Sequence, residues 1–206
     1  INVFLTYCMA YGLSRKGYPG RKIIFGLVLF TMIFQGGIVP LYLLMKSLNL
    51  TNSLWSVILA YGVNTFYMIL VKNYIESLPD SLMESAKLDG AGEWMILFKI
   101  ILPLSKPILA TIVLFYSVDR WNEWYNSMIF IRKQNMFPLQ LVLRNIVINS
   151  EMAGNVTSAS ASMQGSQFTM GLKMCAVIMT MLPIMCVYPF LQKHFVKGIM
   201  VGAVKG

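Results

Sequence analysis

Residues 23–45, IIFGLVLFTMIFQGGIVPLYLLM, contain no charged side chain. At 1.5 Å per helical residue such a run reaches about 35 Å, enough to cross a hydrocarbon layer of about 30 Å. Residues 47–71 are equally free of charge, with their apolar part starting near Leu54. Residues 107–131 form a third run, interrupted by Asp119, Arg120 and Glu123, and residues 174–192 a fourth. A chain with four such runs folds in lipid, because a water-soluble domain has nowhere to bury them. Composition agrees: 12% of residues are charged, against roughly 25% in soluble domains. A fifth run, residues 1–13, is too short to span. It opens in apolar sequence without a Met, so the expectation is that the start of its helix precedes the sequence given. A signal peptide would carry basic residues before the run and a small-residue cleavage site after it, whereas SRKGYPGRK follows here.

The net charge of +9 sits at the ends of the apolar runs. That pattern is a topology signal and not the single basic stripe of a nucleic-acid binder, so no nucleic-acid partner is expected. Arg15, Lys16, Arg21 and Lys22 lie between the first two runs and Lys193, Lys197 and Lys205 at the end, while only Lys46 separates the second and third. The basic ends therefore face the cytoplasm. Residues 23–45 run outward, 54–71 inward, 107–131 outward and 174–192 back, leaving the C-terminus cytoplasmic, residues 77–105 inside and 132–170 outside. Cys8, Cys175 and Cys186 lack zinc-site or redox spacing and read as small apolar side chains.

Residues 77–105 are out of character with the rest. Ser77, Pro79 and Asp80 form a helix start and Leu88-Asp89-Gly90 a helix stop, with Gly90 suited to the left-handed turn. A second helix is expected from about Ala91 to Leu102, ended by Pro103 and Pro107. By pattern alone this helix-turn-helix is either an amphipathic connector on the membrane surface or a docking element.

Its residues carry a resemblance. Glu84-Ser85-Ala86, Asp89-Gly90-Ala91, Phe98, Ile100 and Leu102-Pro103 resemble the EAA loop of the transmembrane subunits of binding-protein-dependent ABC importers, with Ser85 in place of an Ala. YGLSRKGYPGRK (11–22), FQGGIVPLYLL (34–44), WNEW (121–124) and YPFLQKHFVKGIMVGAVKG (188–206) are similar to the MalG-like sugar permeases, specifically their LplC-like branch. The resemblance implies an all-α polytopic bundle of the type I importer permease kind and six spanning helices. It further implies a second permease subunit, two cytoplasmic ATPase subunits holding ATP and magnesium, and an extracytoplasmic sugar-binding protein. It places the assembly in the bacterial cytoplasmic membrane, moving carbohydrate by alternating access, with Glu84, Ser85, Ala86, Asp89, Gly90, Ala91, Phe98 and Pro103 forming the ATPase-coupling element. The binding protein would sit at residues 132–170.

A translocation path needs polar groups at membrane depth. Asp119, Trp121, Asn122, Glu123 and Trp124 lie 12 to 17 residues beyond Pro107, in the outer half of that run. Ionisable groups there must pair or face a cavity, and Arg120 is the nearest partner. Aromatic faces stack on sugar rings and amides bond hydroxyls, so the WNEW run is either a lining or an interfacial belt with a structural ion pair. Gln35 beside Gly36-Gly37, and Asn64 and Tyr67 in the next run, are further lining candidates, with close helix packing as the other reading. No GxxxxGK[ST] phosphate loop, catalytic triad or metal cluster appears in the sequence, so ATP must be bound elsewhere and the chain is not expected to be an enzyme or to hold a cofactor. The alternatives are an importer of a non-sugar solute and an ion-coupled secondary transporter.

Overall fold

The computed structural model describes residues 1–156, 170–171 and 173–186, and every regular element among them is helical. In chain order these are α1 (Asn2–Ser14), α2 (Arg21–Ile33), α3 (Ile38–Ser47), α4 (Leu54–Ala60), α5 (Thr65–Glu76) and α6 (Asp80–Leu88). There follow α7 (Glu93–Leu104), α8 (Lys106–Trp121), α9 (Tyr125–Phe130), α10 (Leu139–Val156) and α11 (Lys173–Cys186). The outside stretch expected at 132–170 lies partly beyond the described residues, and the basic C-terminal tail wholly so.

The expectation of continuous spans is corrected. Among the described residues no single helix is long and apolar enough to cross a membrane; instead three pairs pass by length and composition together, each bent at a short break. The pairs are α2 with α3 (116°), α4 with α5 (54°) and α7 with α8 (84°). Gly36-Gly37 explains the first break, since Gly37 takes φ +83°, a conformation costly for any side-chain-bearing residue. In the third run the helix stops at Trp121 and resumes at Tyr125, so the WNEW residues occupy a helix end and not a continuous span.

Breaks leave backbone groups unpaired, and lipid offers them no partner. Side chains close the 61–64 break. Asn64 Oδ1 accepts from the Phe66 and Tyr67 amides at 3.0 and 3.3 Å, and the Asn64 amide donates to Tyr116 Oη at 2.9 Å. Tyr116 Oη lies 2.6 Å from Thr6 Oγ1, which is fully buried. On the other side of the break the Tyr61 carbonyl accepts from Asn2 Nδ2 at 3.0 Å and the Val57 carbonyl from Arg120 Nη1 at 3.1 Å. α1, α5 and α8 are thereby stitched together around one core of Tyr7, Ala10, Met68, Val71, Ile75 and Ile112.

The same core holds the helix-turn-helix of residues 77–105. Met83 and Ala86 of α6 and Ile96, Leu97 and Ile101 of α7 are buried in it. α6 ends in a Schellman arrangement: the Ala91 amide donates to the Ala86 carbonyl at 2.9 Å and the Gly90 amide to Lys87 at 3.0 Å, with Gly90 at φ +80°. No atom would lie within 4 Å of a Cβ at Gly90, so the turn demands the backbone conformation and not the space. Ser77 and Asp80 do not cap α6 as expected, for the Ser77 hydroxyl donates to the Tyr74 carbonyl and Asp80 binds Lys16. Nor does Pro103 end α7. A π turn over Ile96–Ile101, in which the Leu102 amide reaches back to the Leu97 carbonyl, widens the helix ahead of the ring, and the break falls at Ser105.

The charged end of α1 fixes this unit from the other side. Glu93 Oε2 accepts from Tyr11 Oη at 2.5 Å, while Oε1 takes Arg15 Nη2 at 3.3 Å and Lys87 Nζ at 2.9 Å. Lys16 Nζ binds Asp80 Oδ2 at 2.5 Å. Burial works against the charged form of Glu93, but the hydrogen bonds from Tyr11 and Lys87 and the charges of Arg15 and Lys87 outweigh it and hold its pKa at about 2.

Tyr116→Phe removes the acceptor of the Asn64 amide and should cost about 1–3 kcal/mol, read as a lower midpoint of thermal unfolding in detergent; an unchanged midpoint would mean water closes the break. For Glu93 the sign follows from a folded pKa of about 2, below the ordinary carboxylate value of about 4.3. Its stabilisation is complete above about 4.3 and is lost as pH falls toward about 2. Carboxyl titration by NMR should place it well under the ordinary value, and amide exchange in α6 should quicken in Glu93→Gln at neutral pH. A normal titration would refute the tie.

Candidate functional site

Two regions gather the residues singled out from the sequence. The first is a cleft of about 310 Å³ between the 61–64 break and the end of α8, lined by Tyr61, Asn64, Tyr116, Asp119, Arg120, Asn122, Glu123 and Asn126, with Val63. Helical spacing builds its α8 wall, since 116, 119 and 120 fall on one face of α8 and 123 continues the i, i+3, i+4, i+7 series. Four of the expected lining residues meet here: Asn64, Asp119, Asn122 and Glu123. A larger cavity of about 860 Å³ at the α2–α3 break contains Gln35 and shares Tyr61, Val63 and Asn64 with the cleft, so the two adjoin.

The ion pair expected between Arg120 and Asp119 or Glu123 is absent among the described residues. Arg120 answers the Val57 carbonyl left over at the end of α4, Asp119 Oδ2 accepts from Tyr67 Oη at 3.0 Å, and Glu123 accepts from the Asn126 amide at 2.8 Å and from Asn126 Nδ2 at 2.9 Å. A carboxylate beside the first turn of α9 is stabilised by the free amides there. Tyr67 thus positions Asp119 without lining the cleft, its ring edge-on to Tyr116 at 5.0 Å.

The tryptophans do not line either space. Trp121 Nε1 donates to the Thr180 carbonyl of α11 at 3.3 Å, and Trp124 packs against Tyr125 and beneath the Arg144 guanidinium at 4.3 Å. Both are used to dock α10 and α11. Arg120 Nε and Asn126 Oδ1 are buried without a hydrogen-bond partner. The amide orientation of Asn126 is set by Nδ2 facing the Glu123 carboxylate, which leaves Oδ1 an acceptor. Both unpaired atoms are covered in this conformation, so the polarity that the cleft presents is that of its lining side chains, asparagines, two carboxylates and a guanidinium among them.

The second region is the outward side of α6–α7. Glu84, Ser85, Asp89 and Gly90 are exposed, whereas Ala86 faces the core and Ala91 is half-buried against it. Among the described residues the Glu84 and Asp89 carboxylates have no ion pair. The same two helices carry large exposed apolar side chains: Leu88 is 90% exposed, Trp94 68% and Phe98 42%, and Trp94 stacks on Phe98 at 6.0 Å. Pro103 is exposed at the far end of α7. Glu84 also borders a cleft of about 550 Å³ with Arg15, Lys16, Asp80, Lys87 and Glu93. Sequence reasoning missed Glu93, Tyr11 and Asn126. Glu93 and Tyr11 are partners 82 positions apart, for which no local pattern exists; Tyr116 was missed as well, although its i, i+3, i+4 spacing to Asp119 and Arg120 would have placed it on their face.

Residues 9–201 match the family model described as "Binding-protein-dependent transport system inner membrane component". The chain is 41% identical to Protein LplC of Bacillus subtilis (strain 168), over its full length and 69% of that protein. It is 43% identical to the Polygalacturonan/rhamnogalacturonan transport system permease protein YtcP of the same organism, over its full length and 72% of that protein. Among solved structures, a bacterial ABC transporter involved in the import of the acidic polysaccharide alginate superposes with a TM-score of 0.76 at 31% identity, covering 94% of this chain and 73% of that one. An all-helical chain with broken apolar helix pairs, a polar cleft between them and a docked helix-turn-helix therefore belongs to the inner-membrane permease components of binding-protein-dependent ABC import systems.

Proposed function

We propose that the chain is one of two permease subunits of an importer that carries oligosaccharides into the cell. Two separate ATPase subunits bind ATP and magnesium and dock on the outward side of α6–α7, and a sugar-binding protein docks near residues 132–170. The C-terminus lies in the cytoplasm. The observation that carries this reading is the two-sidedness of α6–α7: one side is locked to the core and to α1, while Leu88, Trp94 and Phe98 are left bare on the same two helices that expose Glu84 and Asp89. Aromatic and apolar side chains surrounded by polar ones are what a protein partner buries. A force applied there passes to α1 through Glu93 and Asp80 and to α8 through the bend at Ser105.

A saccharide as cargo is supported by the relatives named for polygalacturonan/rhamnogalacturonan and alginate and by the amide, carboxylate and guanidinium side chains that line the cleft. In this reading Asn64, Asn122 and Asn126 exchange hydrogen bonds with hydroxyls passing the cleft, and Gln35 and Tyr61 line the approach from the adjoining cavity. Hydrogen bonds to a moving ligand give selectivity without tight binding, which suits a pathway.

Leu88→Asp and Trp94→Asp should abolish recovery of an ATPase through a tag on the full-length chain while the second permease still copurifies; unchanged ATPase recovery from both variants would remove the docking role. Asn126→Leu, which removes an amide from the cleft wall, should lower uptake of labelled oligosaccharide by about tenfold with assembly intact. Uptake at the unsubstituted rate would take the cleft out of the pathway.

A further inference from the structure

At the foot of α2 lies a cleft of about 660 Å³ whose wall includes Lys16, Arg21, Lys22 and Lys72 together with Ile23 and Phe25. The carboxylates that answer these cations are too few. Glu76 is divided between Arg21 on one oxygen and Lys72 Nζ, at 2.8 Å, on the other. Asp80 takes Lys16 at 2.5 Å, and Lys22 has no ion pair among the described residues. Four cations thus face two carboxylates, neither of which lines the cleft. The Lys72 side chain is only 8% exposed, with its ammonium 4.8 Å from the Phe25 ring centroid. A buried ammonium sharing half a carboxylate is under-compensated, and an anion in the cleft would complete its neutralisation.

Directly above, α2 presents an uncovered apolar stripe. Ile23, Leu27 and Phe30 are 71%, 60% and 55% exposed at i, i+4 and i+7, one helical face rising about 10 Å. Phosphate alone would satisfy the cations and leave the stripe bare. A molecule with an anionic phosphodiester at one end and hydrocarbon at the other matches both. We propose that this cleft is a binding site for an anionic phospholipid, with its headgroup phosphate among Lys22, Arg21 and Lys72 and an acyl chain along Ile23, Leu27 and Phe30. The lipid would brace the foot of α2 against α5, the pair of helices that Lys72, Glu76 and Arg21 already connect.

The test uses the full-length chain with its partner subunits in nanodiscs of phosphatidylcholine containing a minor fraction of phosphatidylglycerol, followed by detergent exchange and mass spectrometry of retained lipid. Phosphatidylglycerol should be retained about fivefold above its bulk ratio, the worth of one basic side chain beside an anionic lipid, kept by Lys22→Arg and reduced to bulk by Lys22→Glu. Retention at the bulk ratio, or equal enrichment in Lys22→Glu, would overturn the proposal. Should Lys22→Glu not assemble, competition on the unsubstituted complex decides. Release of the lipid by inorganic phosphate at millimolar concentration would make this a phosphate site and overturn the lipid, whereas persistence supports it. A cysteine at Leu27 that crosslinks to a partner permease would show the stripe covered by protein and also overturn it. None of these outcomes bears on oligosaccharide uptake or ATPase docking.

Discussion

The hydrogen bond from the Asn64 amide to Tyr116 Oη makes the rest of the architecture possible. A helix crossing lipid satisfies its own backbone; a broken one does not, and hydrocarbon cannot help. This chain breaks its apolar helices and must supply a partner at each break. At 61–64 it does so from three directions, with Asn2 from α1, Asn64 from the break itself and Tyr116 and Arg120 from α8. The helices that donate those groups are consequently held to one another, and the polar side chains recruited to repair the backbone become the walls of a cleft. Structural repair and a polar pathway are two consequences of the same residues.

α6–α7 obeys a different logic. Its inner side is ordinary core, Met83, Ala86, Ile96, Leu97 and Ile101, and its outer side is apolar where water or a partner must meet it. A Schellman turn at Gly90 and a carboxylate, Glu93, gripped by three donors leave the unit little freedom to move apart from α1. For the proposed docking role, stiffness of this kind is what a lever needs, because a compliant connector would absorb the displacement. The π turn ahead of Pro103 belongs to the same design, carrying the helix past a residue that would otherwise end it and moving the bend to Ser105.

Membership of the binding-protein-dependent importer family brings these observations under one mechanism. The relatives share the whole of this chain at 41% and 43% identity, and the alginate-importing transporter shares its fold. Under the proposed function, the cleft at the 61–64 break serves as the path and α6–α7 as the handle.

The sequence by itself determined the solvent, the helical class, the helix-turn-helix of residues 77–105 and its Gly90 turn. Those rest on local quantities: runs of apolar residues, backbone preferences of glycine, and spacing along a helix. It also placed Asn64, Asp119, Asn122 and Glu123 as polar groups needing a cavity, and they share one. Only the tertiary structure decided that the apolar runs are broken and bent, that Pro103 is passed and not obeyed, that Trp121 and Trp124 dock helices instead of lining the cleft, and that Arg120 serves the Val57 carbonyl and not a neighbouring carboxylate. Each of those outcomes depends on what stands opposite a residue across the fold. A hydropathy run records how apolar a segment is and carries no record of which distant side chain will close its backbone once it breaks.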